Sequence, residues 1–322
     1  MSPGRLLAAD DGPAHGSPGA PLPPLCAVVG TTASGKSALA VDLAQRVGGE
    51  IVSADSRQVY RGLDIGTGKT TPAEQRGVRH HLLDVADVRS RFTVAEYQSL
   101  ALATLDEVWD RGVLPILVGG TGLYVRAVID NPTYPAVAPD PTLRAQLERR
   151  PLPDLVATLR RLDPVGAERI DRANPRRVVR ALEVTLGTGV PFSAQQRHGP
   201  ARARALQLGV TWPAEELRQR IDERLDARLA TGLVEEVLGL LADGVPAARL
   251  LELGLEYRFV ARYLQGALAY DAMVADLKLA IRQYAKRQLT WFRRDPRVRW
   301  LDMRAADPLA EATALVLGNR QG

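Results

Sequence analysis

Two kinds of hydrophobic pattern alternate along the first 130 residues of the chain. Short continuous apolar runs predict buried strands, and longer stretches with apolar residues three or four apart predict helices. The helix predicted at Thr93–Asp110 begins with a capping box, Thr93 as N-cap and Glu96 at the third helical position. The predicted strands are Leu25–Val29, Glu50–Ser53, His81–Val85 and Leu114–Val118, and the other helices are Ser37–Val47 and one after Gly122. This alternation predicts an α/β fold, a doubly wound parallel sheet with helices on both faces.

The pattern changes at Asp130–Pro135, and from there to about Ala205 the chain is arginine-rich, divided by prolines and predicted to be all-helical. A strand at Ala205–Val210 resumes the first pattern, and amphipathic stretches follow at Ala214–Ala242 and Ala272–Phe292. We therefore predict an all-helical insertion domain within the α/β core. The predicted boundaries are 24–130 and 206–303 for the core, 131–205 for the insertion, 1–23 for a disordered N-terminal tail and 304–322 for a C-terminal tail.

Composition narrows the class of protein. Apolar residues make up 46% of the 322 residues, enough for a sizeable core, and no apolar run approaches the ~18 residues of a membrane span. The single cysteine, Cys26, cannot form an internal disulfide, which fits a reducing cytosol and predicts a cytoplasmic protein. Nothing in the sequence indicates a large exposed interface, so we expect a monomer without a membrane partner.

Positive charge is concentrated in two segments. Ten arginines and five acidic residues lie between Leu143 and Ala181. From Arg282 to Arg299 there are seven basic residues and one acidic residue, interleaved with aromatic side chains. Basic segments with aromatics are typical of a nucleic-acid partner, although charge alone fits solvated helix faces equally well.

One motif carries the most specific chemistry in the chain. It matches G-x-x-x-x-G-K-[ST] between a predicted strand and a predicted helix, which is the context of a phosphate-binding P-loop. Its backbone N–H groups surround an anion, the lysine adds charge on the terminal phosphates, and the last hydroxyl is placed to bind Mg²⁺. The eight residues are Gly30, Thr31, Thr32, Ala33, Ser34, Gly35, Lys36 and Ser37. The fold prediction thus becomes P-loop NTPase-like, with a di- or triphosphate as ligand.

Two further polar clusters follow predicted strands and are expected at the same edge of the sheet. Asp55, after the second strand, is a candidate general base or Mg²⁺ ligand, or else only the N-cap of a turn. Thr121 follows the strand Leu114–Val118. Arg220 and Arg224 share a helix face and are candidates to reach the diphosphate, with surface ion pairs as the alternative. The adjacent histidines at 80 and 81 are expected to be structural.

The chain resembles the tRNA dimethylallyltransferases from about residue 25 to 302. Each matching segment apart from the phosphate loop is weak by itself, but the segments occur in the family's order. They are Gly30–Ser37, Ala54–Tyr60 with Asp64–Thr67, His80–Asp84, Phe92–Tyr97, Val118–Tyr124, Asn174–Glu183, Gly232–Val237 and Lys286–Phe292. In two places this chain departs from the family: Thr31 replaces a proline, and the turn Gly254–Arg258 replaces a Gly-Tyr motif.

The resemblance implies transfer of a dimethylallyl group from dimethylallyl diphosphate to N6 of the adenine 3′-adjacent to the anticodon, with Mg²⁺ as cofactor. Asp55 would take the proton from the attacking amine, and Thr121 would hydrogen-bond near the diphosphate or the base. The residues expected to contact tRNA are Asp55, Ser56, Arg57, Gln58, Thr121, Arg144, Arg176, Arg177, Arg180, Lys286, Arg287 and Gln288. Arg176 and Arg180 are four apart, hence on one helix face, and Pro175 is expected to begin that helix.

Two other classes of function are left open by the residues. A P-loop enzyme can act on a free adenine nucleotide, as an adenylate isopentenyltransferase or a kinase, and a non-catalytic RNA-binding module can keep a relic phosphate loop. A mononucleotide needs neither the arginine-rich insertion nor the basic C-terminal helix, which argues against the first. Intact Lys36, Ser37 and Asp55 argue against the second.

Overall fold

The computed structural model of the chain describes residues 21–135 and 140–321. The chain folds as two compact units, one formed by residues up to Ile129 together with those from Arg202 onward, and one formed by Asp130–Ala201. The N-terminal tail predicted at 1–23 lies outside the described residues up to position 20.

The first unit is built on a sheet that has six strands within the described residues, all parallel, in the order β3-β2-β4-β1-β5-β6. The central strand β1 pairs with β4 and β5, so that Val29 lies between Gly119 and Gly209. The strands are β1 Pro24–Gly30, β2 Gly49–Ser53, β3 His80–His81, β4 Leu114–Gly119, β5 Arg204–Thr211 and β6 Val298–Asp302. The parallel α/β sheet that the sequence predicts is thus confirmed.

Helices follow the strands and cover the sheet. In chain order they are α1 Lys36–Val47, α2 Pro72–Gln75, α3 Val94–Asp110, α4 Gly122–Ile129, α5 Pro141–Glu148, α6 Leu152–Leu162, α7 Pro164–Arg169, α8 Pro175–Thr188, α9 Phe192–Gln195, α10 Ala214–Ala230, α11 Leu233–Ala242, α12 Ala247–Leu250, α13 Leu255–Leu264, α14 Tyr270–Arg293 and α15 Pro308–Gln321. The predicted capping box is present at the start of α3, where Thr93 accepts from the Glu96 N–H and the Glu96 carboxylate accepts from the Thr93 N–H. Pro175 is the first residue of α8, after the N-cap Asn174, as the sequence predicts.

The alternating side chains of β1 divide the core of the first unit in two. Leu25, Ala27 and Val29 belong to the apolar cluster that contains residues of α3, α13 and α14. Cys26 and Val28 belong to the cluster on the other face, with α1 and α15. Because both faces are covered, every residue of β1 after Pro24 is buried, and the carboxyl ends of the strands are the edge left for a ligand.

Three segments differ from the sequence prediction. The strand expected at His81–Val85 ends at His81, because Leu82 and Asp84 have φ angles of 61° and 57° that no strand adopts. The stretch Ala214–Ala242 is two helices, broken where Gly232 adopts a φ of 105°. Residues 304–322, assigned to a tail, include α15, which is held because it buries Ala312 and Val316 in the cluster with α1.

The second unit is helical and contains α5 to α9. Its own apolar cluster is formed by buried side chains of α5, α6, α7 and α8, among them Leu147, Leu155, Ala167 and Leu182. Asp163 caps α7 by accepting from the Gly166 N–H at 2.8 Å.

Candidate active site

The phosphate-loop motif connects β1 to α1 and is held from outside by side chains of distant elements. Trp212, just after β5, donates its indole N–H to the Ser34 carbonyl at 2.9 Å. Arg220 of α10 donates Nε to the Ala33 carbonyl at 3.0 Å and lies over the Trp212 ring, 4.3 Å from its centroid. Helix α1 starts at Lys36 with no side-chain cap and no acidic residue in its first turn. The N-terminus of α1 is therefore available to an anion.

A pocket opens at the carboxyl ends of β2 and β4, beside this loop. It brings together predicted residues from the phosphate loop, the turn after β2, α10 and α14, and adds others that the sequence did not predict. The predicted residues that line it are Thr32, Lys36, Ser37, Asp55, Gln58, Arg224 and Gln288. The added ones are Ile51, Ser53, Thr67, Gly68, Thr70, His80, Leu83, Val118, Gly119 and Tyr284. The pocket thus has a cationic end at the phosphate loop and an apolar component from Ile51, Leu83 and Val118.

The cations of the pocket are partly desolvated. Burial lowers the pKa of Lys36 to about 8, the charge of Arg224 adds to this effect, and Asp55 opposes it. Burial also lowers the pKa of Arg224 to about 9, with Arg228 contributing. Lys36 donates to the Thr31 carbonyl at 3.2 Å, and Arg224 donates to the Thr32 hydroxyl rather than to a carboxylate. A bound polyanion would stabilise both charges.

Asp55 lies in the turn after β2 and also lines the pocket. Its Oδ1 accepts from the Arg57 N–H at 2.8 Å, which fixes the turn after β2, and its carboxylate lines the pocket. Within the described residues Oδ2 makes no hydrogen bond, so one carboxylate oxygen is held and the other remains as an acceptor. This geometry suits a general base.

Thr121 and Gly120 connect the ends of neighbouring strands. Thr121 Oγ1 accepts from the Ser56 N–H at 3.0 Å and lies 3.3 Å from the Ser56 hydroxyl. A Cβ on Gly120 would lie 2.3 Å from Nε2 of Gln288, so a larger residue there would displace the Gln288 amide. The close approach lets the Gln288 side chain reach both the strand end and the phosphate loop.

Gln288 of α14, expected to contact tRNA, is buried and uses both ends of its amide inside the protein. Its Oε1 accepts from the Thr32 N–H at 2.8 Å, and its Nε2 donates to the Gly120 carbonyl at 2.9 Å. Lys286 and Arg287 on the same helix are exposed, and the Arg287 guanidinium lies 5.8 Å from the Tyr284 ring centroid.

The arginines of the helical unit fall into two groups. Arg176 and Arg177 are exposed in the first turn of α8. Arg144 and Arg180 instead bind the buried carboxylate of Glu183, at 2.7 and 3.0 Å. Burial acts to raise the pKa of Glu183, but hydrogen bonds from Arg180 and Arg144 outweigh it and hold the pKa below its ordinary value.

The sequence analysis did not select Tyr284 or Trp212 as site residues. Tyr284 precedes Gln288 by four residues and so shares its helix face, and this spacing was a readable signal. Burial raises the pKa of Tyr284, and the charge of Asp55 adds to this. Trp212 directly follows the last residue of β5, so it lies at the carboxyl end of that strand, the edge of the sheet where the site is found. Arg220, by contrast, supports the loop from outside as well as being a candidate ligand.

No helix within residues 21–135 and 140–321 is long and apolar enough to cross a membrane. In the same ranges, no three His, Cys, Asp or Glu side chains are grouped closely enough to hold a metal ion by themselves. Fold and site together define a P-loop α/β protein whose cationic pocket also contains a carboxylate.

Comparison with known proteins assigns this class more narrowly. Residues 58–295 match the family model of the IPP transferases. The tRNA dimethylallyltransferase of Symbiobacterium thermophilum is 47% identical over 296 residues, covering 90% of this chain and 92% of that protein. The Streptomyces avermitilis tRNA dimethylallyltransferase is 46% identical over 301 residues, covering 92% of this chain and 96% of that protein.

Solved structures agree with the sequence comparisons. The full-length tRNA isopentenylpyrophosphate transferase from Bacillus halodurans superposes with a TM-score of 0.71 at 37% identity, covering 92% of this chain and 97% of that one. A eukaryotic dimethylallyltransferase acting on tRNA gives a TM-score of 0.78 at 26% identity, covering 92% and 79%. The chain belongs to the IPP transferase family.

Proposed function

We propose that this protein is a tRNA dimethylallyltransferase, which transfers the dimethylallyl group of dimethylallyl diphosphate to N6 of the adenine 3′-adjacent to the anticodon. The observation that carries the proposal is the position of Asp55 in the same pocket as Lys36, Ser37 and Arg224. A phosphate loop alone serves phosphoryl transfer equally well, but a carboxylate base beside it suits an acceptor that must lose a proton.

The reaction breaks the C1–O bond of the allylic diphosphate and forms a bond between C1 and the adenine N6. Negative charge develops on the departing diphosphate, and Lys36, Arg224 and the N–H groups at the start of α1 stabilise it as it develops. Asp55 Oδ2 takes the proton that N6 loses. The products are the N6-dimethylallyladenosine in tRNA and free diphosphate, so no ATP is consumed.

The residues present fit Mg²⁺ if the substrate supplies most of its ligands. Mg²⁺ is commonly held by one or two protein oxygens together with phosphate oxygens and water, so the absence of a three-residue cluster in the described ranges agrees with such a site. The Ser37 hydroxyl lines the pocket and would bind the ion. When bound, Mg²⁺ would neutralise charge on the leaving diphosphate.

The proposed tRNA contacts are drawn from each unit separately. In the first unit, Arg57 and Gln58 border the turn after β2, and Lys286 and Arg287 share a groove on one face of α14 with Trp291. In the second unit, the exposed Arg176 and Arg177 suit the RNA backbone. An adenine in a loop must leave its stack to reach a carboxylate inside the pocket, and aromatic and arginine side chains support such bases. We also propose that the protein acts as a monomer.

A single labelling experiment tests this function. Purified protein is incubated with Mg²⁺ and dimethylallyl diphosphate labelled in the prenyl group, with unmodified tRNA, with the same tRNA carrying guanine in place of the target adenine, or with AMP. We expect label in the first acceptor only, and none with an Asp55→Ala variant. Label in AMP, or release of ADP from added ATP in step with product, would favour an enzyme of free adenine nucleotides instead.

A further inference from the structure

The segment Asp64–Lys69, termed here the wall loop, forms part of the side of the pocket. Thr67 and Gly68 line the pocket. The Gly68 carbonyl accepts from Nε2 of Gln58 at 3.2 Å, and Oε1 of Gln58 accepts from the Ser53 hydroxyl at 3.1 Å. The wall loop therefore sets the orientation of the Gln58 side chain, which follows β2 in the chain and lines the pocket.

One carboxylate from a distant helix holds this loop. Glu236 of α11 accepts three successive backbone N–H groups: those of Asp64 at 2.9 Å, Ile65 at 2.6 Å and Gly66 at 3.0 Å. Successive N–H groups that converge on one point form a concave anion site, which here is filled by a protein side chain. A neutral amide at position 236 would present N–H groups to some of these donors.

Tyr257 of α13 contacts both Glu236 and the wall loop. Its hydroxyl donates to Oε1 of Glu236 at 2.7 Å, and its ring packs against Gly66, where a Cβ would lie 2.6 Å from Cζ. Arg228 donates to the Gly66 carbonyl at 3.1 Å and forms an ion pair with Glu256. Tyr257 belongs to the segment Gly254–Arg258, which departs from the family pattern, and these contacts connect that segment to the wall loop.

We infer that Glu236 is a positioning residue for prenyl transfer: it fixes the wall loop and, through the Gly68 carbonyl, the Gln58 side chain that faces the reacting groups. This inference rests on the proposed function. Glu236 does not line the pocket itself, so it acts on the acceptor side through Gln58 and leaves the phosphate loop unchanged. Misplacement of a pocket group by about 1 Å is enough to lower a rate by about 100-fold.

The test combines Glu236→Gln with Gln58→Ala in the full chain. We expect E236Q to lower kcat by about 10- to 100-fold while the Kd for dimethylallyl diphosphate stays within twofold. On the Q58A background E236Q should add less than twofold, because both changes act through one group. Tyr257→Phe, which removes one of the four hydrogen bonds and keeps the ring, should give a smaller loss of kcat.

Glu235→Gln is the matched control, since Glu235 is exposed on the same helix. Amide exchange in E236Q should accelerate at Asp64, Ile65 and Gly66 and stay unchanged in β1, which separates a loosened loop from a general loss of folding. A kcat for E236Q within twofold of E235Q, or effects of E236Q and Q58A that multiply, would overturn the inference while leaving the proposed function standing. An inactive wild-type protein would instead overturn the proposed function.

Discussion

Positively charged side chains occupy opposite environments in the two units of this protein. In the pocket of the first unit, Lys36 and Arg224 are partly buried, their pKa values are lowered, and they donate to a carbonyl and a hydroxyl. In the helical unit, Arg176 and Arg177 are exposed in the first turn of α8. A desolvated cation gains most when an anion arrives, whereas an exposed cation acts through a field that salt screens.

A third group belongs to the fold. Arg144 and Arg180 neutralise the buried Glu183, so their charge is compensated before any partner binds. Arginine content by itself therefore does not identify a binding surface.

The largest effect is expected at Asp55, the carboxylate that shares the pocket with the desolvated cations. Replacing Asp55 with Ala should lower the rate of prenyl transfer by about 10²–10⁴-fold, because the proton of the attacking amine loses its acceptor. The affinity for tRNA should stay within a few-fold. Single-turnover rates and filter binding measure the two quantities, and near-wild-type turnover would remove Asp55 from the mechanism.

The contribution of Lys36 to diphosphate affinity should be large and independent of salt concentration. Lys36→Ala is expected to weaken dimethylallyl diphosphate binding by about 10- to 100-fold, the range for losing a charge-assisted hydrogen bond. Lys278→Ala is the matched control, because Lys278 pairs with Asp226 on the surface. Calorimetry at low and high salt would contradict the comparison if the Lys36 contribution disappeared at high salt.

The lowered pKa of Lys36 gives diphosphate binding a pH dependence of defined sign. Below about pH 8 the free protein carries the charged lysine, so affinity should be constant once the diphosphate is ionised. Above pH 8 the lysine must regain a proton on binding, and affinity should fall by about tenfold per pH unit. Arg224 stays charged over this range, because a guanidinium does not lose its proton in proteins.

The Lys36→Ala variant provides the control for this pH profile, which should lose its break near pH 8. A wild-type affinity that stays constant from pH 7 to 9 would mean that Lys36 does not face the diphosphate.

The exposed arginines should give the smallest effect and the most salt-sensitive one. Changing Arg176 and Arg177 together to Gln should weaken tRNA binding and reduce the slope of log K against log salt by about 0.7–0.9 per lost contact. Arg180 is left intact because its loss would unpair Glu183. Diphosphate affinity should not change.

Changing Arg160 and Arg161 together to Gln is the matched control, because both are exposed at the end of α6. This control removes the same charge and so separates a specific RNA contact from the general electrostatic field of the protein. Equal slopes for the two double variants would make Arg176 and Arg177 ordinary surface residues. The RNA contacts would then have to be sought along α14.

Contiguous patterns account for most of what the sequence predicted. The strands β1, β2 and β4, the capping box of α3 and the start of α8 each depend on neighbours within a few residues, so local propensity and periodicity suffice. The early end of β3 and the break at Gly232 depend on positive φ angles, which a hydrophobic pattern does not encode. The helix α15 is set by burial against α1, a contact between the two ends of the core.

Local sequence is enough to specify the parallel α/β class, the phosphate loop and the position of Asp55 after a strand, because eight adjacent residues and a strand end define their own geometry. Which side chains support these elements depends on contacts between distant parts of the chain. Gln288 reaches the loop from 256 positions away, Glu236 holds the wall loop from more than 160, and Glu183 takes Arg144 and Arg180 out of the charged surface. Hydrogen bonds and desolvation depend on which groups are close in space. The separation of two residues along the chain does not show whether they are close.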